Sequence, residues 1–134
     1  MKISPASIHI RFADVDIMGH VNNAVYLSYF ENTRMHYFKH MLGRDWDWNK
    51  DGIILLKNEV EYIRPLQLND SPLITMKVIK IGNKSFTLGY ELTVNDILYC
   101  KGLSILVGYD NQNHKSIEIP SSMREELEKL KSEQ

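Results

Sequence analysis

Residues 23–42 read NAVYLSYFENTRMHYFKHML, and the fold turns on how that run is read. It contains neither Gly nor Pro, and Tyr26, Phe30, Tyr37 and Met41 recur at the spacing of one helical face. Val25, Leu27, Tyr29 and Phe38 put apolar side chains on other faces too, which predicts a long helix largely buried in the core. Asn22 or Asn23 can cap it, because an Asn side-chain oxygen accepts a hydrogen bond from an unpaired N–H of the first turn. Gly43 supplies the usual C-terminal stop.

Beyond this run, alternation replaces helical spacing. In SFTLGYELTV (85–94), Phe86, Leu88, Tyr90, Leu92 and Val94 alternate with small or polar residues, the period of a strand with one buried face. Strands are predicted over 53–64, 72–81, 85–95 and 97–109, with Gly82-Asn83 and Asn95-Asp96 as tight antiparallel connections. On the N-terminal side, Ile8, Ile10 and Phe12 alternate against His9 and Arg11, predicting a short strand from Ser7 to Val15. The tail IPSSMREELEKLK sets Pro120 before a Ser cap, then Met123, Leu127 and Leu130 at helical spacing, predicting a terminal amphipathic helix. A long buried helix followed by four long strands defines an α+β chain whose mostly antiparallel sheet wraps the helix. The edges of such a sheet must be covered or paired, and continuation into a second subunit is one solution.

Composition narrows the partners. A chain of 134 residues with 43% hydrophobic and 25% charged side chains is that of an ordinary globular domain. No repeat or linker divides it, so one domain over 1–134 is expected. Sixteen basic against seventeen acidic residues, a formal charge of -1, provide no positive field for a phosphate backbone, so nucleic acid is not an expected partner. The single cysteine, Cys100, excludes an internal disulfide framework. No run approaches the ~20 apolar residues of a membrane helix, and the first residues lack a signal-peptide core, so a cytoplasmic protein off the membrane is expected.

The chemistry concentrates in Arg11-Phe12-Ala13-Asp14-Val15-Asp16-Ile17-Met18-Gly19-His20-Val21-Asn22-Asn23, just ahead of the apolar helix. A helix N-terminus presents unpaired N–H groups and a partial positive charge, so it polarises a carbonyl placed there and stabilises a developing oxyanion. Asp16, held by a turn at Gly19, is placed to attack that carbonyl carbon or to activate water against it. His20 can orient the water, donate to the carbonyl or carry the leaving-group proton. On the residues alone a plainer account is equally open: the aspartates cap a turn, His20 is structural and the asparagines are helix caps.

The run Asp14-x-Asp16-x-x-Gly19-His20-Val21-Asn22-Asn23-x-x-Tyr26-x-x-Tyr29-x-Glu31-x-x-Arg34 resembles the opening of 4-hydroxybenzoyl-CoA thioesterase-like hot-dog proteins, which include many acyl-CoA thioesterases. The resemblance continues through Glu61-Tyr62-Ile63-Arg64-Pro65, Asp70, Lys101-Gly102, Tyr109-Asp110 and Ile119-Pro120, and so spans nearly the whole chain. It implies the hot-dog fold: a long central helix wrapped by a mostly antiparallel sheet of five to six strands, with a C-terminal helix. It also implies homodimers that share a continuous sheet, with active sites at the interface, assembling to tetramers. The implied activity is hydrolysis of an acyl-CoA, or secondarily of an acyl carrier protein thioester. By position the catalytic carboxylate is Asp16, and the amide that polarises the carbonyl belongs to Asn23 or a close neighbour. The GHVNN form also resembles plant acyl-carrier-protein thioesterases, whose aspartate and histidine match Asp16 and His20, whereas Met18 replaces their asparagine. Benzoyl-type enzymes often carry Pro where this chain has Ile17 and an apolar residue in place of His20, so an aromatic thioester is not the first expectation. Substrate contacts are expected from Gly19, Val21, Asn22, Tyr26, Asn58 and Arg64. No metal or redox cofactor is expected, because water and a thioester are the only reactants.

Other polar residues have structural accounts beside functional ones. Asn58 shares a strand face with Leu56, Val60 and Tyr62 and needs a hydrogen-bond partner. Glu31 and Arg34 are three apart on the helix and are expected to pair. His36 and His40 have a zinc-compatible spacing but no identified third ligand, which favours a solvated helix end. Lys57, Arg64, Lys84 and Lys101 can meet coenzyme A phosphates if they gather, and Cys100 reads as a strand residue. Tyr26, Tyr29 and Phe30 either line an acyl tunnel or are plain core. Two rival functions stand beside hydrolysis: a hot-dog dehydratase acting on a hydroxyacyl thioester, and a non-catalytic acyl-CoA-binding or interaction protein.

Overall fold

The computed structural model describes residues 2–134. Its elements in chain order are β1 (Ala6–Ser7), a 3₁₀ turn (Phe12–Asp14), α1 (Val25–Leu42), β2 (Gly52–Tyr62), β3 (Leu73–Ile81), β4 (Ser85–Val94), β5 (Ile97–Asp110), β6 (Lys115–Ser116) and α2 (Ser121–Glu133). The strands form one six-stranded antiparallel sheet in the order β1-β3-β4-β5-β2, with β6 added to β5. The expected hot-dog arrangement is thus present, with α1 lying across the concave face.

The alternation in β4 does what its sequence requires, burying Phe86, Leu88, Tyr90, Leu92 and Val94 on one face. At the β4–β5 hairpin, Asn95 and Asp96 both take positive φ, 50° and 66°. Their paired left-handed backbones match the strand twist, as two-residue hairpin loops demand. Across the sheet, Val60 and Tyr90 flank Gly102, while Asn58 and Leu88 flank Ser104. The helix climbs these rows: Tyr26 meets Tyr62 edge-on at 4.9 Å, and Phe30 stacks on Tyr90 at 4.5 Å. Phe30 can lie this close to the sheet because residue 102 has no side chain. A Cβ there would sit 2.6 Å from the Phe30 ring.

Three sequence expectations are corrected. The predicted strand from Ser7 to Val15 pairs with β3 only at Ala6 and Ser7. Beyond it Ile8 and Ile10 are still buried, but the chain then turns through the 3₁₀ segment and leaves Phe12 84% exposed. The turn forms because the Asp14 carboxylate accepts the Arg11 N–H and the Tyr29 hydroxyl, drawing residue 14 into the protein. The caps also differ. Ala24, not an Asn, occupies the N-cap of α1, with Asn22 Oδ1 accepting the Ala24 N–H just ahead of it, and Pro120 rather than a Ser precedes α2. Finally, Glu31 and Arg34 do not pair. Glu31 is exposed, while Arg34 points into the core and donates to Tyr90 Oη and Ser104 Oγ.

Candidate active site

The segment between Val15 and Val21 closes on itself as a tight polar loop. Val15 and Val21 form a bridge, the Asp16 N–H donates to the His20 carbonyl at 2.8 Å, and the Gly19 N–H returns to the Asp16 carbonyl at 3.0 Å. Gly19 has φ +80°, a left-handed conformation that glycine adopts without steric penalty. Inside the loop, Asp16 Oδ1 accepts the N–H groups of Met18 and His20 at 2.9 and 3.2 Å. The carboxylate is therefore oriented through one oxygen, and Oδ2 carries no hydrogen bond among the described residues.

Two residues earlier the same side-chain type meets the opposite environment. Asp14 is buried, its Oδ2 accepting the Tyr29 hydroxyl at 2.7 Å and its Oδ1 facing the Arg11 guanidinium at 3.1 Å. Burial alone raises its pKa, but hydrogen bonds from the Arg11 N–H, Tyr29 and the Arg11 side chain together hold it below the ordinary carboxylate value. The Tyr29 phenol is correspondingly pushed up, by burial first and by Asp14 second. Asp14 thus ties the 3₁₀ turn to α1, and Asp16 is left facing outward.

The loop is anchored to the rest of the protein where the Val21 N–H donates to the Leu66 carbonyl at 2.8 Å and the Asn22 N–H to the Asp14 carbonyl at 2.9 Å. These bonds set it against the end of β2, and between them lies an open pocket of about 340 Å³. Of the predicted site residues, Asp16, His20, Val21, Asn23, Tyr26 and Arg64 line it. Gly19 and Asn22 shape the loop and the helix entry that support it. Asn58 lies elsewhere: its Oδ1 accepts the Ser104 hydroxyl at 2.6 Å, within the network around Arg34. Tyr29 and Phe30 are buried core, so of the three expected tunnel aromatics only Tyr26 lines the pocket.

Tyr62, Ile63 and Pro65 complete the lining, and they were not among the predicted site residues. Their signal in the sequence was proximity to Arg64 at the end of a strand. Nothing local indicates that the Tyr62 hydroxyl crosses to the helix entry and donates to the Asn23 carbonyl at 2.7 Å. The remaining candidates are placed apart. His36 Nε2 lies 2.9 Å from the Ser4 carbonyl, and the described residues contain no group of three metal-ligating side chains. Lys57 pairs with Glu59, Lys84 and Lys101 are exposed, and burial with Glu61 nearby pushes the Cys100 thiol up to about 12. A depression of about 320 Å³ on the opposite face of the sheet, around Gly89, Glu91 and Lys101, has no helix terminus at its edge.

An oriented carboxylate, a histidine, a helix entry and a guanidinium around one open pocket form a site suited to attack on an acyl carbonyl. Carried on a hot-dog fold, that is the constellation of an acyl-transfer or hydrolytic enzyme. The sequence pattern of the Thioesterase-like superfamily matches residues 10–127, and the chain belongs to that family. It is similar to the long-chain acyl-CoA thioesterase FadM of Escherichia coli K12, 25% identical over 92% of this chain and 96% of that one. A thioesterase from Thermus thermophilus, solved in complex with coenzyme A and Zn, is 32% identical over 98% of both chains with a TM-score of 0.82. A 30% match to the uncharacterized protein YsmA of Bacillus subtilis spans 62% of this chain and 56% of that protein.

Proposed function

We propose that the protein hydrolyses acyl-CoA thioesters at the Asp16–His20 pocket, giving the free acid and coenzyme A. The observation that carries this reading is the convergence of Asp16, His20 and the helix entry at Asn23 on one pocket. Coenzyme A in the similar Thermus thermophilus thioesterase supports acyl-CoA as the substrate class.

In this reading the thioester carbonyl sits against the Asn23 N–H, which donates to no acceptor among the described residues. The developing oxyanion is stabilised there by a donor already in place. Asp16 either takes a proton from water as it attacks the acyl carbon, or attacks that carbon itself to form a mixed anhydride that water hydrolyses once the thiolate has left, releasing the acid and restoring Asp16. In both routes the carbon–sulfur bond breaks, and His20 delivers a proton to the departing thiolate. Val21 and Tyr26 contact the acyl part, and Arg64 meets a phosphate of coenzyme A. Gly19 and Asn22 contribute by holding the loop and the helix entry.

The protein acts as a single domain and as a homodimer, assembling further to a tetramer, in the cytoplasm. Support for the dimer comes from β2, which ends the sheet with one edge unpaired among the described strands and carries exposed Ile54, Leu55 and Leu56. No helix among the described residues is long and apolar enough to cross a membrane.

The test is free-thiol release from short, medium, long-chain and aromatic acyl-CoAs, comparing wild type with Asp16→Asn and His20→Ala at equal oligomeric state. Asn retains an oxygen for the Met18 and His20 N–H groups, so the loop is kept and the charge removed. A loss of about 10²- to 10⁴-fold in rate is expected for Asp16→Asn. Full activity in that variant, or no turnover of any thioester by wild type, overturns the assignment.

A further inference from the structure

The entry to α1 departs from regular helical bonding. The Val25 N–H donates to the Asn22 carbonyl and the Leu27 N–H to the Ala24 carbonyl, both across three residues. Asn23 precedes the Ala24 N-cap, so its carbonyl lies outside the helical ladder and the place of a donor to it is open. The Tyr62 hydroxyl takes that place at 2.7 Å, reaching from the last residue of β2 across 39 positions of sequence. On the other side, Asn22 Oδ1 holds the Ala24 N–H at 2.9 Å. The Asn23–Ala24 peptide is therefore held at both ends, its carbonyl from the sheet and its N–H from the loop, while the preceding peptide, which carries the Asn23 N–H, is held by the Val25 N–H on the Asn22 carbonyl.

Tyr62 is itself held. Its ring meets Tyr26 edge-on, and the Tyr26 hydroxyl accepts the Leu66 N–H at 3.3 Å. The Leu66 carbonyl in turn accepts the Val21 N–H beside the loop. Burial, and secondarily Cys100, raise the Tyr62 phenol above the ordinary tyrosine value, so it stays a donor across neutral pH.

We infer that Tyr62 is a positioning residue for this reaction: its hydroxyl fixes the Asn23–Ala24 peptide and, through the Cα that this peptide shares with the one before it, steadies the aim of the Asn23 N–H at the reacting carbonyl. The inference rests on the role given to that N–H above. An oxyanion donor acts on charge that develops only in the transition state, so loosening it lowers kcat and leaves ground-state binding alone. Complete loss of one donor costs about 10²- to 10³-fold, and a donor that is misdirected rather than removed costs less.

The experiment is Tyr62→Phe, which keeps the ring against Tyr26 and deletes only the hydroxyl. It is assayed by thiol release from the acyl-CoA that wild type turns over fastest, with Asp16→Asn alongside. A fall in kcat of about tenfold, with KM within about twofold and an unchanged pH profile, is the expected result. The amide resonances of Asn23 and Ala24, followed by ¹⁵N NMR, should shift in the variant while those of the distant β3 strand do not. Unchanged kcat, whether or not the melting temperature falls, shows a merely structural contact and overturns the inference. A displaced alkaline limb of the pH profile overturns it as well, since Tyr62 would then exchange a proton with the substrate directly. Full activity in Asp16→Asn is a different failure, that of the catalytic assignment. An inactive Asp16→Asn beside a fully active Tyr62→Phe sinks the Tyr62 inference alone.

Discussion

Replacing Asp14 by Asn separates two aspartates that lie two residues apart in the sequence and do different work. Asp14 is 2% exposed, and its Oδ2 accepts both the Tyr29 hydroxyl at 2.7 Å and the Arg11 N–H at 3.0 Å. Asn can keep one oxygen in that position but not the charge. Each bond then falls from the roughly 1.5–3 kcal/mol of a charged acceptor to about 1 kcal/mol. The contact with the Arg11 guanidinium adds little, because that side chain is 72% exposed and its pairing is screened by solvent. The sum is a loss of about 2 kcal/mol, or roughly 5–10 °C in Tm for a domain of this size. Thermal melting at pH 7 measures the first effect, and thiol release at 25 °C should show kcat within about threefold of wild type, since no general base is removed. The pH dependence has a definite sign. The folded pKa of Asp14 lies below the ordinary value of about 3.9, so its stabilisation is fully present above that value. It is lost as pH falls through the lower, folded pKa, and the melting curves of wild type and variant should converge there. An unchanged Tm at pH 7, or a rate loss of about 10²-fold with Tm intact, would refute the division of roles.

Two further outcomes follow from the packing. Gly102→Ala would place a Cβ 2.6 and 2.7 Å from two atoms of the Phe30 ring, which is already stacked on Tyr90 and cannot yield without unstacking. A loss of about 1–3 kcal/mol is expected by urea denaturation, and a variant as stable as wild type would mean that Phe30 repacks freely. Cys100, buried and with its thiol pushed up to about 12, should resist an aromatic disulfide reagent at pH 8 in the native protein and react at once in denaturant. Rapid native labelling would contradict its placement. Because this pKa is raised by folding, the thiol's contribution is intact below the ordinary value of about 8.5 and is lost as pH climbs toward the folded one.

Where a signal was periodic, the sequence was easy to read. The α1 run and the alternation in β4 each repeat one rule over many residues, and the buried faces follow from it. The Asn95-Asp96 turn was legible because few residue types tolerate two successive left-handed conformations. The N-terminal segment was not legible, because the alternation of Ile8, Ile10 and Phe12 is equally satisfied by extended chain that has left the sheet. What ends the strand is a carboxylate two residues past Phe12 that bonds to Tyr29, and contacts of that range carry no periodicity. The same holds for Arg34. Spacing pairs it with Glu31, yet Ser104 and Tyr90, distant in sequence, provide oxygen partners in the core.

The site divides along the same line. Asp16, His20 and Asn23 were legible because a loop of eight residues carries them all to one helix entry, and local chain geometry suffices to bring them together. Asp14 and Asp16 are chemically identical, and no local rule says which one turns inward. The choice is made by the 3₁₀ turn: it offers Asp14 two donors in a buried setting and leaves Asp16 only the backbone of its own loop. A buried carboxylate that already accepts strong hydrogen bonds is a poor base, since the bonds that stabilise its charge must weaken when it takes a proton. The fold therefore uses one aspartate to hold the loop and leaves the other, with a free oxygen, at the pocket, where the Tyr62 hydroxyl supplied from β2 bonds the Asn23 carbonyl at the helix entry.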